Sequence, residues 1–347
     1  MVHVGIDTHK GSLAACAVDE VGRPLAERTF DNDPAGHAAL AAWLDELGSV
    51  VRVGLEGSAS FGAAAARYLA AVGHVVREVP PGLAHRERGR SRRAGKSDPG
   101  DALAIARVVA REEALPPVRP GGVVEDIALL VSARDALVAE ATRLRNRLHA
   151  LLRTIEPGYH ASTARLTRPK HRAIVRALLR TRRGVAVELV REGLDELARL
   201  ERRAARLEAR IEAQVGDHPL RRHPGIGLLT AATLIARAGD PGRFRDDGAF
   251  ARLAGVAPIP ASSGQVRRMR YARGGDRQLN RALYIVAKAQ VWNHPPARAY
   301  LERKRAEGKS WREAIRCLKR RIARPILALL VEGYPALTAP GHGVLTV

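Results

Sequence analysis

Four carboxylates carry the first chemical signal: Asp7, Glu56, Asp98 and Asp101. Asp7 ends the run "VHVGID", Glu56 ends "VVRVGLE", and the other two bracket a Pro-Gly in "KSDPGDALAIA". The first two follow alternating apolar runs that predict β-strands, so both are expected at the same edge of a sheet. The second pair lies three residues apart at the start of a predicted helix and shares a face of it. Taken alone, "DPGD" is ordinary helix-start chemistry, with Asp98 as N-cap, Pro99 in the first turn and Asp101 favoured by the helix dipole. Brought together, the four mean something else. Two carboxylates ~4 Å apart repel by roughly 4 kcal/mol at an effective dielectric of 20. Such a cluster persists only with protons or cations in it. Carboxylate oxygens with room for water suit Mg²⁺ or Mn²⁺, and paired metals clamp the attacking and leaving oxygens of a phosphodiester.

The second signal is "PIPASSGQVRRMRYARGG", where Ser262 and Ser263 precede Arg267, Arg268, Arg270 and Arg273. Ser-Ser-Gly by itself is a turn; ahead of so basic a run, a hydroxyl aimed at a phosphate is the alternative. A serine hydroxyl is a weak nucleophile without activation, and no Ser-His-Asp arrangement is legible around it. "HPGIG" sets Gly225 and Gly227 at the opening of a helix, as in helix-hairpin-helix turns whose N–H groups hold a phosphate. A plain interhelical turn reads the same way. Tyr271, Tyr284, Trp292 and Trp311 are interleaved with basic residues, as base stacking needs, although core filling accounts for part of them. His9 and Lys10 follow Asp7 and suit either a phosphate or a solvated strand end.

The charge balance points the same way. The chain of 347 residues has a net charge of +22, and only seven of its 58 basic residues are lysine. From Gln265 to Pro325 there are 18 Lys/Arg against 4 Asp/Glu, so the excess is concentrated rather than spread. A field of that sign and density suits a polyanion, and nucleic acid is the expected partner. The two cysteines, Cys16 and Cys317, have no metal-ligand spacing and are expected as reduced structural thiols of a cytoplasmic protein. No run approaches the ~18 apolar residues of a membrane helix.

These residues need elements to position them. The first ~120 residues read as α/β: strands at Val2–Asp7, Leu13–Val18, Thr29–Phe30, Val50–Glu56 and His74–Val79, with helices at Ala35–Leu47, Phe61–Val72 and Pro99–Glu113. The basic stretch "RERGRSRRAGKSDPGD" is expected to be a loop. Glu125–Leu152 and Gly193–Val215 have helical periodicity, which fits an antiparallel pair, a coiled-coil arm or two bundle helices. A Gly-punctuated helical region follows. The expected division is 1–120, 121–216 and 217–347.

The ordered set of motifs resembles a known family. "VGIDTHK", Glu56 at a later strand end and "KSDPGDALAIA" are similar to the Asp-Glu-Asp-Asp core of the RuvC-like transposases of the IS110 group of insertion sequences. "HPGIGLLTAATLIARAGDPGRFRDDGAFARLAGVAPIPASSG" and "GGDRQLNRALYIVA" resemble that family's C-terminal transposase domain. "DTHK" alone also occurs in actin-like ATPases and sugar kinases, but those need further Gly-rich nucleotide loops after Glu56, and none is present.

The resemblance implies an RNase H-like (RuvC-like) α/β N-terminal domain, a helical coiled-coil arm and a mainly α serine domain. It also implies an RNA-guided DNA recombinase in which a Mg²⁺- or Mn²⁺-binding site of Asp7, Glu56, Asp98 and Asp101 works with a serine that becomes covalently linked to DNA. The motif places that serine at Ser263, with Ser262 one residue away. Implied partners are donor and target DNA, a structured bridge RNA and further copies of the chain as dimer or tetramer. The acidic site of one protomer then faces the serine of another. Without the serine chemistry, the same acidic core implies a metal-dependent, structure-specific endonuclease.

Overall fold

The computed structural model describes residues 1–58, 60–90, 98–118, 122–159, 166–260, 269–271 and 274–338; the side chains of 90, 98, 99, 260 and 269–271 are excepted. The chain forms two compact units, Met1–Gly121 and Gly122–Val347.

The first unit is built on a five-stranded mixed sheet of β1 (Val2–Thr8), β2 (Ser12–Val18), β3 (Pro24–Asp31), β4 (Val50–Leu55) and β5 (Val76–Glu78), in the order β3-β2-β1-β4-β5. The first three strands form an antiparallel meander, and β4 and β5 run parallel to β1. Parallel neighbours need crossover connections, and α1 (Pro34–Glu46) and α2 (Ala63–Ala71) provide them. Asp33 caps α1 by accepting from the Gly36 N–H at 2.7 Å.

Strand alternation divides the sheet into two faces. Val4, Ile6, Leu13, Val53 and Leu55 pack in one apolar cluster with Leu40, Leu44 and Leu69 of the crossover helices. On the other face Ala14, Cys16 and Val18 meet Ala102 and Ala106 of α4 (Asp98–Arg111). Small residues set that spacing. A Cβ on Gly5 would stand 2.1 Å from the Ala106 nitrogen, and one on Gly54 2.1 Å from a Val109 methyl. Glycine at both positions lets α4 lie directly on β1 and β4. Both cysteines are free, and burial pushes the Cys16 thiol up to about 12, which makes it inert.

Two differences from expectation lie in this unit. The stretch from Arg86 to Arg90, expected as loop, is the end of a helix, α3 (Pro81–Arg90). Leu83 and Ala84 anchor that helix against Ile105 and Val108, and its charged remainder hides the periodicity. Residues 91–97 of the same stretch lie outside the described residues. β3 is eight residues long rather than two, because it is an edge strand with Phe30 as its buried residue.

Among its described residues the second unit is helical apart from a short antiparallel pair, β6 (Pro258–Pro260) and β7 (Met269–Tyr271). Its longest helices are α5 (Val123–Ile155) and α7 (Val185–Val215). They run antiparallel: Arg134 bonds Glu208 at 2.9 Å, and Gly193 lies against Leu148. A Cβ on Gly193 would sit 2.5 Å from the Leu148 side chain, so this glycine marks a close approach within α7 rather than the helix start expected there. At one end of the pair, α6 (Pro169–Leu178) adds Val175 to the core, and its Arg172 bonds Glu201 at 2.5 Å. At the other end Val123, Ile127, Ile211 and Val215 share a core with the C-terminal helices. The antiparallel pair is therefore what forms, packed at both ends; a free-standing coiled-coil arm is not seen. Residues 122–216 of the segment expected as a separate arm belong to the second compact unit.

The C-terminal core gathers α8 (Leu228–Ala238), α9 (Asp247–Leu253), α10 (Arg277–Asn293), α11 (Pro295–Ala306) and α12 (Trp311–Thr338) around the fully buried Phe250. No described helix is long and apolar enough to cross a membrane.

Candidate active site

In the first unit the parallel register sets Ile6 opposite Leu55, which leaves Asp7 and Glu56 side by side at the C-terminal ends of neighbouring strands. Ile6 and Leu55 face the core with α1 and α2, so by alternation Asp7 and Glu56 take the face of α4. Asp101 sits in the first turn of α4, buried at 7% exposure. One Arg88 nitrogen lies 3.3 Å from Glu56 Oε2 and 3.5 Å from Asp101 Oδ1. A single guanidinium therefore spans two carboxylates that the sequence separates widely. Asp7 Oδ2 is met by His9 Nε2 at 3.2 Å. The His9 side chain is 44% exposed, and its ring is a partner of the acidic site.

The surrounding backbone is held in place by short polar contacts. The Thr8 hydroxyl donates to the Glu56 carbonyl at 2.8 Å, fixing the turn at Gly57, whose φ of 79° favours glycine. Asn32 donates to the carbonyls of His9 and Phe61 at 2.8 and 2.9 Å and joins the loops after β1 and β4. Glu78, at the end of β5, accepts from both the backbone N–H and the hydroxyl of Ser58.

Asp7, Glu56 and Asp101 are thus brought to one edge. Asp98 begins α4 three residues before Asp101, and its side chain lies outside the described residues. Among the described residues, no three His, Cys, Asp or Glu side chains close as a metal-ligand group; Arg88 stands between two of the carboxylates. The donor set nevertheless fits a hard divalent ion. It is a set of carboxylate oxygens on side chains that keep 13% exposure at Asp7, 20% at Glu56 and 10% at Asp101, and two of them already share a cation.

In the second unit Gly225, with φ of 83°, packs against α10, where Gln290 donates to the Pro224 carbonyl at 2.9 Å. Gly227 is the N-cap of α8, exposed and without a side-chain cap, and its Cβ position is open space. The two glycines have different parts: one makes a packed turn, the other leaves first-turn N–H groups uncapped by a side chain. Ser262, Ser263, Arg267, Arg268 and Arg273 lie outside the described residues, as does the Arg270 side chain; Arg270 itself stands on β7. Trp292 is 70% exposed and Trp311 40%, so neither fills a core.

Sequence comparison identifies the two halves separately. Residues 4–157 match a transposase model of the Asp-Glu-Asp-Asp IS110 type, and residues 217–302 match the "Transposase IS116/IS110/IS902 family" model. The chain is 32% identical to a probable family 20 transposase of Pseudomonas aeruginosa, over 65% of this chain and 67% of that protein. The chain belongs to the IS110 family of transposases. Its likeness to the 42 kDa protein of insertion element IS900 from Mycobacterium paratuberculosis is 28% identity over 97% of this chain and 98% of that one. For the 44.8 kDa protein of IS116 from Streptomyces clavuligerus the figures are 29%, 98% and 97%. Among solved structures, T. thermophilus RuvC in complex with Holliday junction substrate matches at 21% identity and a TM-score of 0.25, over 31% of this chain and 90% of that one.

As an IS110 transposase the chain is a DNA-recombining enzyme, and DNA is its partner. The sequence missed Arg88, Asn32 and Glu78 around the acidic edge. Arg88 lay in a run of charge with no period to single it out, and its two partners are remote in sequence.

Proposed function

We propose that this transposase is an RNA-guided recombinase with an RNase H-like N-terminal domain, in which Asp7, Glu56, Asp98 and Asp101 hold Mg²⁺ or Mn²⁺ and Ser263 is the nucleophile. The observation that carries the reading is the meeting of Asp7, Glu56 and Asp101 at one sheet edge, in a chain whose second family segment spans the serine. A divalent ion at that edge supplies Lewis-acid polarisation of a phosphate oxygen. The chain's own residues do the rest. Thr8 and Asn32 hold the carboxylate-bearing loops in place, and Arg88 balances the cluster charge until an ion enters. The Ser263 oxygen attacks phosphorus, forming a P–O bond as the bond to the departing sugar oxygen breaks, and the serine proton ends on the released hydroxyl. The phosphoserine retains the phosphodiester linkage, so a second strand's hydroxyl reverses the step with no nucleotide cofactor. A structured bridge RNA supplies target choice by base pairing, while Gly225, Gly227, Arg267, Arg268, Arg270 and Arg273 contact backbone phosphates.

The test is adduct trapping. Wild-type protein, mixed with its guide RNA and DNA, is expected to give a denaturation-resistant protein–DNA adduct. Ser263→Ala should bind both nucleic acids and form none, and Ser262→Ala should retain most activity. Mass spectrometry after nuclease and protease digestion locates the nucleotide. A nucleotide on Ser262 moves the assignment by one residue. An active reaction with no adduct makes the enzyme a hydrolytic, metal-dependent endonuclease instead.

A further inference from the structure

Lys319, on α12, is buried at 6% exposure in the most basic part of the chain. Its ammonium donates to Asn280 Oδ1 at 2.7 Å, and no carboxylate partner is found for it among the described residues. The Asn280 amide is already committed to the Ala254 and Gly255 carbonyls, at 2.8 and 3.1 Å, so its oxygen is turned toward the lysine. Lys319 therefore uses one of three donors on a neutral partner and is left as a buried cation without a counter-charge. Burial, reinforced by neighbouring Arg316, pulls its pKa down to about 8.

The space around it is built for an anion. Lys319 lines a cavity of about 360 Å³ together with Lys304, Lys309, Arg316 and Arg320, and Glu313 is the one carboxylate among the described lining residues. Gly255 to Pro258 also line it. Lys304 and Lys309 share Glu307, Arg320 pairs with Asp247 at 2.7 Å and Arg316 lies 3.9 Å from Glu313, so among the described residues Lys319 is the lining cation with no carboxylate partner. Arg316 and Lys319 also line a second hollow of about 370 Å³, where Tyr284 and Trp311 are exposed. A cationic cavity thus shares a wall with an aromatic groove.

We propose that this pair of hollows seats one nucleotide of a single-stranded nucleic-acid segment, its phosphate on Lys319 and Arg316 and its base against Trp311 and Tyr284. A phosphodiester supplies the missing counter-charge, and a base has the π-face that an exposed aromatic side chain stacks on. The inference rests on the transposase reading for its DNA partner, but its test is a binding measurement that does not depend on serine chemistry.

The probes are a single-stranded oligodeoxynucleotide, the same sequence as duplex, and inorganic phosphate, titrated into the full chain. Lys319→Met should bind the single strand about tenfold more weakly, with the log–log salt slope reduced by roughly 0.7, one contact. Trp311→Ala should weaken the single strand by about tenfold and leave the duplex nearly unchanged. Lys319→Arg should keep the salt slope. If either truncation fails to fold, the pH profile decides. The other groups facing the ammonium are Arg316 and Glu313 of α12, Arg320 with its partner Asp247, and Lys304, Lys309 and Tyr300. In a Cys317→Ser background, which removes the neighbouring thiol, affinity for the single strand should fall as pH rises above about 8 and be flat for Lys319→Arg. Unchanged affinity and salt slope in Lys319→Met, or a flat wild-type profile, overturns the proposal. So does a site where phosphate raises the melting temperature but Lys319→Met leaves oligonucleotide binding intact, since the occupant is then a free phosphate.

Discussion

Arg88 touches Glu56 and Asp101 through one nitrogen, and that contact explains how carboxylates can share an edge without a metal ion. The guanidinium offsets their repulsion, and it is paired with oxygens of two of the carboxylates proposed to hold a divalent ion. Metal binding then has to displace it. Arg88→Gln is expected to bind Mn²⁺ about tenfold more tightly by calorimetric titration, because a charge-assisted hydrogen bond of roughly 1.5–3 kcal/mol no longer competes. The same variant should melt lower than wild type in chelator, where the repulsion is unrelieved. Weaker Mn²⁺ binding would make Arg88 a support of the ligand geometry instead of a competitor for it.

At the scale of elements, the site depends on how closely α4 lies on β1. The helix brings Asp101 to Glu56, and it reaches that depth because Gly5 has no Cβ to meet the Ala106 backbone. Helix backbone cannot give way as a side-chain tip can, so the whole helix must shift. Gly5→Ala is expected to cost ~2–3 kcal/mol in urea denaturation through overpacking. It should also lower strand-exchange activity far more than the stability loss explains, since its effect is to move Asp101 away from Glu56. A Gly5→Ala protein with normal activity would show that Asp101 is not positioned by this contact. The contrast with Gly193 is useful: that glycine also permits a close approach, against Leu148, but within the helical pair of the second unit.

For the whole molecule, the two family segments lie in different compact units, 4–157 mostly in the first and 217–302 in the second. On the proposed reading the acidic site and Ser263 come from different family segments, supplied by one chain or by two copies. If the copies share them, mixing Asp7→Asn with Ser263→Ala protein should restore part of the wild-type recombination, because each supplies the half the other lacks. Formation of mixed oligomers, verified by tag pull-down, with no recovered recombination would assign both halves to one chain.

Much of this was legible in the residues themselves. Period-two alternation in "VHVGID" and "VVRVGLE" is a local property of a strand, so it located Asp7 and Glu56 and their common edge before any packing was known. The concentration of charge after Gln265 announced a polyanion partner on composition alone. Packing decided the rest. Arg88 and Lys319 sit among many similar cations, and only the fold laid one across two carboxylates and buried the other beside Asn280. Nor did spacing distinguish Gly5, which admits a helix to the sheet, from Gly193, which read as a helix start. Local periodicity records which way a side chain points relative to its neighbours in sequence. Which distant group it meets depends on the close packing of whole elements, and no short stretch of sequence contains that.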